Sequence, residues 1–303
     1  MFAMEEPPAV VREVPQEKAD RNGTITVTAP QVEPPKAKAR EFLQQVLPVP
    51  TMGQYASWTR PVCVKVYGLD AELEKRVRNR VEAVATAAGA KVAEESCRPN
   101  IGIVFTDNGQ QQIIELRKKR GRLLAHLPME EIRALRQGRH PVVWWRIASG
   151  GGGTGGPDAG TAAIVSAPGA GEMPLMNMFG GEVPSTARYD GGSLISTGLS
   201  LSVGAAIAIV DVEKAEGKSL DAVADYVAFV TIGPVRFPAD PTGVPSILNL
   251  FSQDSEALEL SGWDRSLLSA NTRMQLDRTA RWQAGKMRAH MVRDQRESAQ
   301  AAE

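Results

Sequence analysis

The chain is short of the residue types from which most catalytic and metal sites are built. It holds only two cysteines and three histidines among 303 residues. His126, His140 and His290 are scattered, and none belongs to an HExxH or HxH pair, so zinc chemistry lacks its ligands. No CxxC spacing accompanies Cys63 and Cys97, which removes a thiolate metal site as well. There is no excess of either charge: lysine plus arginine and aspartate plus glutamate each number 35. Wholesale coating of nucleic acid needs a net basic surface to displace counterions, so no nucleic-acid partner is expected. Long apolar runs are missing too. The longest, residues 199–212, is broken by Ser200, Ser202, Gly204 and Asp211, whereas a bilayer span needs roughly 20 apolar residues. Residues 1–14 carry acids and prolines where a signal peptide has a basic region and an apolar core. Export would then require a signal already removed or lost with the choice of start; the alternative is a cytoplasmic protein.

What is present is ordinary globular composition, with 43% apolar and 23% charged residues. Residues 1–35 read as a disordered, acidic, proline-rich arm, with Pro7, Pro8, Pro15, Pro30, Pro34 and Pro35 opposing regular structure. One β-branched island, residues 24–28 (TITVT), stands inside it. A single α+β domain is expected over residues 36–295, its mixed sheet covered by helices, with a flexible tail at 296–303.

Helices are expected at 36–47, 70–88, 110–124, 129–137 and 219–232. A last one runs from Ser261 to about Arg293, in one or two pieces. The clearest is 70–88, where Leu69, Leu73, Val77, Val81, Val84 and Ala88 recur at helical spacing. Ser261 and Asp264 have the form of a capping box. Strands are expected at 62–67 (VCVKVY), 91–94, 100–105 and 141–147 (PVVWWRI), and in the β-rich stretch 161–212. Residues 149–160 (SGGGGTGGPDAG) lack both the GK[ST] ending and the G-x-G-x-x-G pattern, so they read as a flexible surface loop.

Several groups of residues are candidates for function. If the strands holding Cys63 and preceded by Cys97 are parallel neighbours, both cysteines fall at one end of the sheet. A disulfide would imply an oxidising compartment; two buried free thiols and a catalytic cysteine are the competing readings. Asp221 and Asp225 are four apart on one helix and share a face. That face either binds a cation or does acid–base work, or is simply solvated. Arg117, Lys118, Lys119, Arg120 and Arg122, with Arg133, Arg136 and Arg139 further on, form a basic region. It is either a solvated helix face or a site for an anionic partner. Trp144 and Trp145 point to opposite faces of one strand, so at most one falls naturally in the core, and the other is either covered by another element or forms a contact surface. Met173, Met176, Met178 and Phe179 are either a core plug or a binding lip. Ser193 and Ser196 have no histidine placed by any motif to activate them.

The segments PVCVKVYGL, AAGAKVAEESCRPNIGIVFT, VADYVAFVTIG and PSILNLF, followed by the Trp263-Asp264 helix, resemble an uncharacterised family of bacterial envelope proteins. The resemblance covers roughly residues 36–290 and brings no established activity. It implies a secreted or periplasmic protein with protein partners in the envelope. More remotely, the order of elements resembles a zincin-like domain whose helix, equivalent to residues 219–232, carries His-Glu. Asp225-Tyr226 stand at those positions here, which implies a non-catalytic relative. Residues 24–29 (TITVTA) are similar to the short boxes near the mature N-termini of energy-coupled outer-membrane receptors. The expectation is a non-catalytic interaction or structural protein of the envelope, with no cofactor and no metal. A hydrolase whose site no motif reveals, and a cytoplasmic anion-binding module, are the alternatives.

Overall fold

A computed structural model describes residues 35–124, 127–152, 197, 199–253, 255 and 257–301. The arm with its TITVT island lies outside the described residues, as do His126, the methionine segment, Ser193 and Ser196. Valine- and isoleucine-rich segments form the sheet. Its strands are β1 (Val64–Tyr67), β2 (Ile101–Thr106), β3 (Val142–Gly152) and β4 (Leu199–Asp211), in the order β1-β2-β4-β3. The first three in that order run parallel, and β3 closes the far edge antiparallel to β4. β2 lies between two parallel neighbours and is buried from Ile101 to Phe105, as expected of a strand covered on both faces. Edge strand β1 alternates instead, with Val64 and Val66 inward and Lys65 outward.

The helices are α1 (Pro35–Val46), α2 (Ala71–Ala87), α3 (Gly109–Arg120), α4 (Met129–Gln137), α5 (Leu220–Ile232), α6 (Gly262–Thr272) and α7 (Ala280–Gln300). The mixed sheet and its helical cover are therefore the α+β architecture expected. α2 starts where Asp70 accepts hydrogen bonds from the backbone N–H groups of Glu72 and Leu73. α5 starts where the Ser219 hydroxyl accepts from Ala222 N. α6 carries the full capping box between Ser261 and Asp264. Asp264 does more than cap. It is fully buried and also accepts from Ser246 Oγ at 2.7 Å and Ile247 N at 2.8 Å. It thus ties the 3-10 turn Ile247–Phe251 to the start of α6.

Several expectations need correction. Residues 91–94 make only an isolated bridge, Val62 to Val92, because the chain turns away at residues 95–96. The glycine run is not a loop from its start. Ser149 to Gly152 extend β3 and pair with β4 down to Leu199, since backbone pairing needs no side chain. The tail is helical to Gln300; no glycine or proline follows Gly285, and Arg, Glu, Gln and Ala are strong helix formers. α5 is buried on all sides, since every residue from Ala222 to Ile232 is buried. It packs against α2, α6, β3 and β4 together. Both tryptophans of β3 are core. Trp144 meets Tyr226 and Phe237 edge-to-face and donates to Val235 O. Trp145, on the opposite face, is only 3% exposed.

Candidate functional site

Cys63 immediately precedes β1 and Cys97 lies four residues before β2. Because β1 and β2 are parallel, with Val64 opposite Ile101, both cysteines fall at the same end of the sheet. Their Cα atoms are 6.0 Å apart, and the sulfurs lie at bonding distance. Asn100 braces the junction: its Oδ1 accepts from Cys63 N and its Nδ2 donates to Pro61 O. Cys63 O accepts from both Asn100 N and Ile101 N.

The acidic pair proves to be two arginine–aspartate contacts joining α2 to α5. Arg76 meets Asp221 through Nε and NH2 at 2.9 and 2.6 Å, with about half of each side chain exposed. One helical turn on, Arg80 meets Asp225 in the same two-pronged way at 2.6 and 2.8 Å. Here the carboxylate is wholly buried and also accepts from Leu260 N at 3.2 Å. The solvated reading is thus wrong for Asp225. Its hydrogen bond to Asp225, followed by the carboxylate's charge, raises the Arg80 guanidinium above its ordinary pKa against the opposing effect of burial. The bond to Arg76 holds the Asp221 carboxyl below the usual carboxylate range. Both oxygens of each acid face an arginine, so neither is presented to a cation. Among the described residues no three His, Cys, Asp or Glu side chains are grouped to hold a metal.

Beside Arg80 a cleft of about 350 Å³ opens between α2 and α6. Val84, Ala88, Leu260 and Leu268 supply its apolar walls, and Arg80, Arg265 and Glu259 its charged mouth. Glu259 is held by Arg265 at 3.3 Å. Leu258, 73% exposed, precedes this loop acid.

At the C-terminal end of β4, where open parallel sheets commonly bind ligands, the chain supplies its own anion. Asp211 is 3% exposed, accepts from Gly109 N at the start of α3, and pairs with Lys214. Burial works to raise its pKa, but the Lys214 ammonium and the Gly109 and Lys214 N–H groups bring it below the usual range. This helix start is therefore already neutralised from within.

The basic region is divided. Arg117, Lys118 and Lys119 are exposed along α3, with Lys119 near Glu115 at 3.6 Å; the side chains of Arg120 and Arg122 lie outside the described residues. Arg133 and Arg136 are exposed on the neighbouring α4. A further cation, invisible to a search for exposed charge, is Arg146 on β3. Burial draws its pKa down to about 10, against the opposing pull of Glu131 on α4. The described histidines are apart. His140 packs edge-on against Phe237, and His290 lies by Ser269 and Asp294.

Sequence reasoning missed Arg76 and Arg80 as partners of the acids, because 145 residues separate each pair. The available signal was that the arginines are also four apart on a helix, matching the spacing of the aspartates. Comparison of the chain with known protein families, with curated proteins and with solved structures returned no match.

Proposed function

We propose that the protein is an exported, non-catalytic interaction or structural protein of the bacterial cell envelope. The observation that carries this reading is the cysteine pair. A chain with only two cysteines brings both to disulfide distance across two parallel strands. Such bonds persist in oxidising compartments. The non-catalytic part rests on α5, the helix where the zincin-like resemblance would need His-Glu. Asp225 is consumed by Arg80 and Leu260 N. Tyr226 is held edge-to-face by Trp144 and Phe251, and burial raises its phenol pKa. Neither side chain is offered to a substrate.

The test is thiol labelling of the native protein in fractionated cells. The reading expects the chain outside the cytoplasm, with Cys63 and Cys97 labelled only after reduction. Two labelled thiols in a cytoplasmic fraction would overturn it.

A further inference from the structure

The outward face of α7 has the chemistry of a lipid-docking surface. The helix buries Gln283, Met287 and Met291 against the domain. On its other side Trp282, Lys286, Ala289 and Arg293 follow one another at helical spacing and are all exposed. Trp282 is 36% exposed, while Trp58, Trp144, Trp145 and Trp263 are each 9% or less. Its ring is bracketed by cations, with the Arg278 guanidinium 5.6 Å and the Lys286 ammonium 5.2 Å from the centroid. Between Asp277 and Asp294 the sequence has no acid, but it has Arg278, Arg281, Lys286, Arg288 and Arg293. A second exposed apolar side chain is brought to the same end of the helix. Gly53 O accepts from Ala280 N and Tyr55 N donates to Gln283, so the turn bearing Met52, 55% exposed, lies against the first turn of α7.

We propose that this face docks on an anionic phospholipid surface, with Trp282 and Met52 entering the headgroup layer and the flanking cations meeting lipid phosphates. Amphipathic rings settle at the headgroup level, and Lys and Arg side chains reach from there to charged groups. Charge alone would equally suit nucleic acid. The exposed tryptophan and methionine favour lipid, because they gain only where apolar surface is buried. The proposal goes beyond the envelope reading and does not rest on the thiol state.

The test is flotation of the full chain with vesicles of phosphatidylcholine containing about one-third phosphatidylglycerol, beside vesicles of phosphatidylcholine alone. The chain is expected to float with the first and not the second. Removing one cation in Lys286→Ala or Arg281→Ala should weaken binding about fivefold, each basic residue near such a surface contributing about 1 kcal/mol. Trp282→Ala should weaken it as well. These positions are exposed, and unchanged circular dichroism would show each variant folded. Acrylamide quenching reports insertion directly: the anionic vesicles should protect the one accessible tryptophan, and the effect should vanish in Trp282→Phe. Equal binding to both vesicle types, binding indifferent to these substitutions, or binding of a DNA or RNA duplex but not of the anionic vesicles would each overturn the proposal.

Discussion

Asp225→Asn separates a structural pair from a solvated or catalytic one. The carboxylate accepts three hydrogen bonds, two from Arg80 and one from Leu260 N, and has no exposed surface. Asparagine keeps the shape and one oxygen, but turns an NH2 group toward a donor and removes the charge. A hydrogen bond to a charged group contributes roughly 1.5–3 kcal/mol. Arg80 is not sealed in, since 41% of its side chain is exposed and water takes over part of the loss. Allowing for that screening, the expected cost is about 2 kcal/mol. In a domain of this size that lowers Tm by about 4–8 °C. Asp221→Asn is the internal control. It stands one turn away in the same kind of contact, but with both partners half exposed, and should leave stability unchanged within error. Urea unfolding followed by circular dichroism at neutral pH measures both. If Asp225→Asn unfolds at the wild-type midpoint, or if the two variants lose equally, burial is not what makes this pair matter.

Other outcomes follow from the same contacts. Reduction, or the double change Cys63→Ser with Cys97→Ser, should lower stability by about 4 kcal/mol in the chain-entropy account for a separation of 34 residues; an unchanged urea midpoint would refute it. Gly68→Ala should be strongly disruptive, by about 3 kcal/mol or more, because φ is +88° and an added Cβ would fall 2.0 Å from Phe105 O. Soluble yield and thermal melting check this. Burial, then the charge of Arg139, lowers the pKa of His140 against the opposing effect of Asp240. The unfolded chain therefore takes up that proton first. Stability from this residue is complete above its unfolded value of about 6.5 and falls as pH drops through that value toward the folded one. Urea midpoints at pH 7.5 and 5.5 should draw closer together in His140→Gln than in the wild type.

Elements whose information is local were legible in the sequence. α2 announced itself by its apolar spacing, and α6 by Ser261 and Asp264. β4 did so by its valines and isoleucines. The cysteine placement was reached by assuming two parallel neighbours, and the register of β1 and β2 supplies that relation. Where the reading failed, the deciding partner was remote. Asp225 looked solvated because nothing near it in sequence reveals Arg80. Residues 91–94 have strand composition, but only Val92 finds a partner. Ser149 to Gly152 were read by composition, yet the backbone of β4 is what they meet. For Trp145 two readings stood open, covered or contact surface, and the choice between them is a fact of tertiary packing that alternation alone does not contain.

The pairing of β3 with β4 runs further than the rest of the sheet. β2 accompanies β4 only from Ala206 to Asp211, whereas β3 stays with it back to Leu199. The two strands thus continue as a ribbon, and Gly152 and Leu199 face one another at its end. Whatever is carried between them, the sheet sees the same pair of anchor points. Lengthening such a connection costs only slowly with chain length, about 0.6 kcal/mol per doubling. The ribbon therefore fixes where the connection leaves and re-enters the sheet, and Thr197 N, donating to Asp277 O, ties its returning end to the domain as well. A chain in which residues 153–198 are replaced by a short Asn-Gly turn should keep the Cys63–Cys97 bond but melt at a lower temperature, because it loses the hydrogen bonds of Thr197 to Asp277 O and Gln54.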